Sequence, residues 1–420
     1  MIKKSPIALA ALVLLLGTAS VTSFSTQSYA QQKEEKVDPL KLEVIRSEWD
    51  KPYKEIQKLI EAKQYAEALE KVNTVFELSD KKTPYELFFI QRTKAVLASS
   101  MNDHAALADA FDQMIKSDFS KLEEKIKYSE GIAGIFYNAT KYPEAIAWSN
   151  RTLSLDNKHE LARQILSYSL YFSKDYAKAL PEFQRMIAAD DAAKRVPALE
   201  RYRLTLSTQQ HLKDLDGIEH TLERIVTSYP SKEYWLDLLY RVPNKPTFSD
   251  RLRLDWYRLM LNVDGIEDAD QYMEMAELAM LVGLPLEAKA VLEVGFKANI
   301  LGVGKNGAKH KPYLDKVTKQ AAEDTKTLDK GEADAKAAKS GLGMVNMGYN
   351  FVIQGQHERG IKLMEDGIAK GGLKAPEEAK LHLGMAYLKA GNRAKAEEVL
   401  KSVQGKDGGP DIARYWLLMK

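Results

Sequence analysis

Cysteine is absent from all 420 residues, so neither disulfide bonds nor thiolate metal sites can stabilise this chain. Long apolar runs are also absent after the N-terminal segment, where none approaches the roughly 20 residues of a membrane-spanning helix. Charge of one sign is not in excess, because the formal net charge is +2, and such a chain has no overall field for binding nucleic acid. Hydrophobic residues make up 45% of the chain, which favours a fold held by its apolar core.

The motifs of common catalytic and metal sites are absent as well. The seven histidines show no H-E-x-x-H arrangement or other compact metal-binding spacing, and no G-x-S-x-G nucleophile motif occurs. Residues 302–307 match G-x-G-x-x-G, but a predicted helix precedes them where a dinucleotide site needs a strand, so we interpret them as a loop. The sequence therefore predicts a protein that is not an enzyme and has no catalytic residue, metal ligand or cofactor.

The N-terminal segment has the three parts of a secretory signal peptide. Lys3 and Lys4 form a basic start, residues 7–16 form a short apolar run, and Ser28 and Ala30 supply small residues before a cleavage point. We predict that residues 1–30 are removed, that Gln31 begins the mature protein, and that this protein works in the periplasm. An uncleaved membrane anchor is the alternative.

A pattern of small and large residues recurs along the rest of the chain. In its clearest form Gly384 is followed by Tyr387, then by Ala396 in the next predicted helix. The same spacing recurs upstream, and Ala145 and Ala179 are 34 residues apart. A period of this length is typical of stacked helix pairs. The positions assigned to this packing are Ala133, Phe136, Ala145, Ala179, Phe183, Ala288, Gly348, Phe351, Gly360, Gly384, Tyr387 and Ala396.

The physical reason for the pattern is close packing. Small residues on both helices of a pair let the two backbones approach, and an aromatic residue fills the space beside them. Each pair then leaves an apolar flank that only the next pair can cover. The sequence therefore predicts an all-α protein, a right-handed superhelical solenoid of antiparallel helix pairs.

Composition divides the mature chain into four predicted segments. Residues 31–47 form an N-terminal linker and residues 48–300 an N-terminal repeat array. Residues 301–340 are rich in Gly, Lys and Ala, and we predict a helical insert or degenerate repeat there, with a flexible linker as the alternative. Residues 341–420 form the last repeats, closed by a capping helix from Asp411.

The L-G-x-x-Y spacing around Gly384 resembles that of the tetratricopeptide repeat family. The resemblance implies a scaffold that binds other proteins. Three further segments, residues 234–239, 251–256 and 371–384, resemble periplasmic tetratricopeptide proteins of proteobacteria that accompany TonB-energised uptake systems. That resemblance implies an accessory of TonB, ExbB and ExbD. The alternatives are an assembly factor for the outer membrane or cell wall and, from another class, an envelope enzyme or its regulatory subunit.

Arrays of this type usually bind a peptide or helix on a concave groove lined by the first helix of each pair. Placing each repeat in register predicts an apolar and aromatic lining, which suits an amphipathic or extended segment of a protein partner. Packing between repeats is the alternative role for each residue. The candidate groove residues are Tyr137, Asn138, Gln164, Tyr168, Tyr171, Phe172, Met273, Met280, Val345, Tyr349, Val352, Leu381, Met385 and Leu388.

Overall fold

The computed structural model describes Glu43, residues 45–77 and residues 82–419. The predicted signal peptide and most of the predicted linker at residues 31–47 lie outside the described residues. Within the described ranges all regular structure is helical, with no strand. None of the described helices is both long and apolar enough to cross a membrane.

Twenty α-helices follow one another along the described part of the chain. They are α1 (Asp50–Glu61), α2 (Tyr65–Glu77), α3 (Pro84–Ser100), α4 (His104–Lys116), α5 (Leu122–Asn138), α6 (Tyr142–Leu155), α7 (Glu160–Phe172), α8 (Tyr176–Ala192), α9 (Leu199–Leu212), α10 (Leu215–Ser228), α11 (Lys232–Leu239), α12 (Arg253–Asn262), α13 (Ala269–Leu281), α14 (Pro285–Lys297), α15 (Gly307–Ala337), α16 (Leu342–Ile353), α17 (His357–Lys370), α18 (Pro376–Lys389), α19 (Arg393–Lys401) and α20 (Gly409–Leu418). Short 3₁₀ turns at Ser47–Trp49 and Asp250–Leu252 precede α1 and α12.

The helices belong to two compact units, which we call unit 1, up to Leu215, and unit 2, from Asp216 onward. In unit 1 the helix pairs are α1–α2, α3–α4, α5–α6 and α7–α8, followed by α9. In unit 2 the pairs α13–α14, α16–α17 and α18–α19 are the most closely packed. The all-α fold class of packed helix pairs is confirmed, and the handedness of its coil stays a prediction. The array predicted for residues 48–300 extends across the boundary between the units.

The turn inside each pair has one repeated geometry. The second residue after the end of the first helix adopts a left-handed backbone conformation, for example Thr140 (φ +62°) and Gly391 (φ +75°). The next N–H donates back to the carbonyl of the last large core residue, from Lys141 to Phe136 and from Asn392 to Tyr387, each at 2.9 Å. In each turn, this hydrogen bond satisfies a carbonyl group that the end of the first helix would otherwise leave unpaired. The repeated turn sets the second helix antiparallel to the first.

Small residues lie where the two helices of a pair cross. A Cβ atom added to Gly348 would lie 2.5 Å from the carbonyl oxygen of Gly360, so α16 and α17 are in backbone contact there. A Cβ atom added to Gly384 would lie 2.5 Å from Cδ2 of Leu400, so the contact between α18 and α19 is made by a side chain instead. All twelve positions assigned to packing from the sequence are buried.

Residues 307–337 form one continuous helix, α15. Its buried side chains follow a stripe along the whole length, which includes Leu314, Ala321, Leu328 and Ala335 at intervals of seven residues. The last two pack with Met344 and Phe351 of the following helix. In this structure, residues 307–337 of the predicted insert are therefore helical and packed on the following helix.

Unit 2 closes on itself through its C-terminal helix. On α20, Arg414 Nε lies 2.6 Å from Glu223 Oε1, and the hydroxyl of Tyr415 donates to Glu219 Oε1 at 2.6 Å, so α20 reaches the first helix of the unit. Lys245 Nζ joins the same cluster, 2.6 Å from Asp411. The predicted capping helix therefore covers more than the last pair, because it also packs against α12 near the start of the unit.

Candidate functional site

The structure divides the predicted groove residues into two equal groups. Seven are buried in the core: Tyr137, Tyr168, Val345, Tyr349, Val352, Leu381 and Met385. The other seven are exposed or half-buried: Asn138, Gln164, Tyr171, Phe172, Met273, Met280 and Leu388. A partner cannot reach the first group in this structure, so the surface open to a partner is narrower than the sequence suggested.

Two physical causes account for the buried group. In unit 1, neighbouring first helices pack on each other, and the rings of Tyr137 and Tyr168 lie 6.4 Å apart between α5 and α7. In unit 2, α16 packs against α14, α15, α17 and α18, and α18 also packs against α20, so the other five residues, which lie on α16 and α18, are enclosed by neighbouring helices. The concave face that an open array would offer is therefore filled by the protein's own side chains.

Unit 1 carries a connected row of aromatic rings along the edge where its helix pairs turn. We call it the aromatic row, and it consists of Tyr142, Phe172, Tyr171, Tyr176 and His211. Tyr142 begins α6, Phe172 ends α7, Tyr176 begins α8, and His211 lies at the end of α9. The first four side chains are half-buried and His211 is exposed. The row brings together rings from the α5–α6 pair, the α7–α8 pair and α9.

The rings of the row hold one another in place. Tyr142 and Phe172 stack at 5.8 Å between ring centroids, and Tyr171 meets Phe172 edge-on at 5.3 Å. Tyr171 also meets Tyr176 edge-on at 5.7 Å, and Tyr176 stacks on His211 at 4.1 Å with 7° between the planes. Such pairs add about 0.5–1.5 kcal/mol each beyond the area they bury. The row is therefore a preordered apolar surface.

The hydroxyl groups of Tyr142 and Tyr176 stay protonated at ordinary pH. Burial raises the pKa of Tyr142 and of Tyr176. The Tyr171 hydroxyl is 2.8 Å from Ser207 Oγ, which ties the row to α9. Leu212 and Leu215, which follow His211 in the sequence by one and four positions, are also exposed. The arrangement can bind an apolar surface and can donate hydrogen bonds, which is the chemistry of a protein interface.

A second group of functional side chains lies inside unit 2, where α12, α14 and α18 meet. Arg258 Nη1 donates to Asp255 at 2.6 Å, and Arg258 Nε and Nη2 donate to the two oxygens of Glu287 at 2.7 and 2.6 Å. His382 Nε2 lies 2.9 Å from Asp255 Oδ1. The Arg258 guanidinium also lies 4.8 Å from the centre of the Tyr349 ring. The cluster links three helices by charge.

The charges in this cluster stabilise one another against burial. Burial on its own raises the pKa of Asp255, but His382 and Arg258 outweigh it and hold that pKa below its ordinary value. Burial on its own lowers the pKa of Arg258, but Glu287 and Asp255 raise it well above its ordinary value. The groups are satisfied by each other, which is the pattern of a structural brace. Within the described residues, no group of three His, Asp or Glu side chains is placed to hold a metal ion.

Sequence reasoning found part of the aromatic row and missed the rest. Tyr171 and Phe172 were predicted from their place on a first helix. Tyr142, Tyr176 and His211 were not, because they lie at the turn between helices. A signal was present, since Tyr142 and Tyr176 each precede the small residue of a second helix, Ala145 or Ala179, by three positions. An aromatic residue repeated at that place indicates a shared edge.

Comparison with known proteins gives matches to solved structures only, since no protein-family model and no curated protein matches the chain. A tetratricopeptide repeat protein from Parabacteroides merdae is 11% identical, with 80% of this chain and 98% of that one covered and a TM-score of 0.27. Yeast Tom70 is 10% identical, with 87% and 94% covered and a TM-score of 0.23. A complex of Naa15 and Naa10 bound to HypK-THB gives 13% identity, 88% and 66% covered, and a TM-score of 0.31. At this level of similarity, function has to be argued from the side chains of this chain.

Proposed function

We propose that this protein is a binding scaffold of the tetratricopeptide type, which holds a protein partner against the aromatic row of unit 1. The observation that carries the proposal is the row itself, in which rings from successive helix pairs form one connected surface that solvent can reach. Aromatic residues are enriched where proteins bind each other, because they supply large apolar area with few rotatable bonds.

The row suits a partner that presents an extended or helical segment with apolar side chains. Its rings are already fixed by stacking and by the Tyr171–Ser207 contact, so little conformational entropy is lost when a partner docks. An interaction of this kind needs no catalytic group, which fits the sequence-based prediction that the protein is not an enzyme.

The finer form of the proposal places the scaffold in the periplasm, as an accessory of a TonB–ExbB–ExbD system that energises outer-membrane transport. It is supported by the signal-peptide pattern at residues 1–30 and by the resemblance of residues 234–239, 251–256 and 371–384 to periplasmic tetratricopeptide proteins. The location and the partner are separate parts of the proposal. Each has its own test.

In-cell photo-crosslinking tests the binding surface. A photoreactive phenylalanine analogue is placed at Tyr176 in one strain and at Gln184 in another. Gln184 is exposed on the same helix, α8, but outside the aromatic row, so it is the matched control. We expect a specific crosslinked partner at Tyr176 and none at Gln184. The same products at both positions, or none at either, would refute the row as a binding surface.

Identification of the crosslinked protein by mass spectrometry then tests the finer form. Recovery of TonB, ExbB or ExbD supports it. A partner from outer-membrane or cell-wall assembly would refute the transport assignment and leave the scaffold standing. Cell fractionation with N-terminal sequencing tests the location: a periplasmic protein beginning at Gln31 is expected, and a chain that keeps Lys3 and Lys4 in the membrane fraction contradicts it.

A further inference from the structure

The long helix α15 carries a row of exposed lysines along its solvent side, which we call the lysine stripe. Its members are Lys309, Lys316, Lys319, Lys326 and Lys330. They follow one another at intervals of seven, three, seven and four residues, which keeps them on one face of a helix. This face is opposite the buried residues Leu314, Ala321 and Leu328. With a rise of about 1.5 Å per residue, the stripe is about 32 Å long.

The charges of the lysine stripe are not neutralised by the protein itself. None of the five lysines forms an ion pair within the described part of the chain. The two other lysines of the helix are paired, Lys311 with Asp315 at 2.9 Å and Lys336 with Glu332 at 2.6 Å. Between the ends of the stripe, Glu323 is the one acid on the same face, so four positive charges are in excess. The stripe is therefore open to a negatively charged partner.

The residue types in α15 indicate the class of that partner. The helix contains no arginine and a single tyrosine, Tyr313, which is half-buried. Protein interfaces are depleted in lysine and enriched in arginine and aromatic residues, and nucleic-acid sites use arginine or stacked aromatic rings. Lysine alone supplies mobile point charges, which suit a diffuse anionic surface without a fixed pattern of acceptors. Clusters of lysine beside a bilayer bind acidic lipid headgroups in this way.

We propose that the lysine stripe holds unit 2 on an anionic lipid surface. A long helix that lies along a flat bilayer brings all five lysines to the headgroups together. The apolar side chains of α15 are packed inside the unit, so the contact is electrostatic and reversible and nothing inserts into the hydrocarbon. Each lysine at the surface increases the partition coefficient about fivefold. The stripe is separate from the aromatic row of unit 1, and neither proposal depends on the other.

Cosedimentation of the full chain with lipid vesicles tests the proposal. We expect binding to vesicles of phosphatidylglycerol and phosphatidylcholine in equal parts, and none to vesicles of phosphatidylcholine alone. In about 1 M salt the screening length falls to about 3 Å, so the binding should be lost. Glycerol phosphate offers the same phosphate without a surface and should not compete. No binding to the anionic vesicles, equal binding to both kinds, or release by glycerol phosphate would overturn the proposal.

Paired substitutions test whether the stripe makes the contact. Lys316→Gln with Lys319→Gln removes two charges from the stripe and should lower the partition coefficient about 25-fold. Lys374 and Lys406 are exposed, unpaired lysines of unit 2 outside α15, so Lys374→Gln with Lys406→Gln is the matched control. It removes the same net charge and should change the partition coefficient less than about twofold, because the attraction falls off within a screening length of the surface.

A third pair separates charge from side-chain shape. Lys316→Arg with Lys319→Arg keeps both charges and should bind within about twofold of the wild type. Unchanged far-ultraviolet circular dichroism shows that each variant is folded. Equal losses for the two glutamine pairs would show that binding follows net charge alone, and a loss in the arginine pair as large as in Lys316→Gln with Lys319→Gln would exclude a charge contact. Either result would overturn the proposal.

Discussion

The α16–α17 and α18–α19 crossings differ in what faces their glycines. We therefore expect the same Gly→Ala substitution to have different effects on stability at Gly348 and at Gly384. Gly348→Ala places a methyl group 2.5 Å from the backbone oxygen of Gly360, whereas Gly384→Ala places one against Cγ and Cδ2 of the Leu400 side chain. A backbone oxygen cannot move without the whole helix, but a leucine side chain can change its position. Both sites lie in unit 2 and in helices of the same kind of pair, so the comparison is internally matched.

The magnitudes follow from two opposing effects. Alanine is preferred to glycine inside a helix by about 1 kcal/mol, and this gain applies to both variants. Overpacking a tight contact costs about 1–3 kcal/mol, and the rigid contact at Gly348 belongs at the upper end while the Leu400 contact belongs at the lower end. We therefore expect Gly348→Ala to lower the free energy of unfolding by about 2 kcal/mol and Gly384→Ala to leave it within about 0.5 kcal/mol.

Urea denaturation followed by circular dichroism at 222 nm measures the difference. Equal slopes of free energy against urea concentration in the wild type and both variants show that the same surface is exposed on unfolding. A Gly384→Ala variant that is as destabilised as Gly348→Ala, or more so, would refute the argument that backbone contact sets the helix spacing.

Three further predictions concern turns and buried charge. Thr140 has a left-handed backbone (φ +62°), which glycine adopts without strain. We therefore expect Thr140→Gly to raise the free energy of unfolding by about 1 kcal/mol in urea denaturation. A lower free energy of unfolding than in the wild type would contradict this. Asp255→Asn removes the charge that faces Arg258. We expect it to lower the free energy of unfolding at pH 7 by about 3 kcal/mol, which thermal unfolding would measure. Burial raises the pKa of Asp324, so the charged carboxyl is disfavoured in the folded state and the stability falls as the pH rises through that pKa. Asp324→Asn should therefore be more stable than wild type at pH 7 and equal to it at pH 3, and an equal difference at both pH values would refute the assignment.

The helix pairs could be predicted because their cause is local. Gly348, Gly360 and Gly384 recur at helix crossings, and each one marks a close approach between the two helices of a pair. The long helix α15 was predicted as helical, but its packing along the full length was not. Its buried residues are mostly alanine and leucine spaced among many charges, so the sequence pattern there is weak.

The closure of unit 2 could not be predicted. It depends on Arg414 meeting Glu219, which are 195 residues apart, and no periodic pattern specifies which distant surfaces meet. Tyr349 and Met385 are buried by neighbouring helices of the same unit, because α18, which carries Met385, packs against α20 and the Tyr349 ring lies beside Arg258 of α12. Both residues were placed on an open groove because the first helices of an open array face solvent.

The affinity of a crosslinked partner for variants of the aromatic row tests the central functional claim most directly. Tyr176→Ala removes the ring that joins Tyr171 to His211, and Gln184→Ala removes an exposed side chain from the same helix. A ring at the centre of an interface contributes at least about 2 kcal/mol, so we expect the dissociation constant to rise about 30-fold or more for Tyr176→Ala. For Gln184→Ala no change is expected. Equal affinities for both folded variants and the wild type would contradict the claim that unit 1 binds its partner through this row.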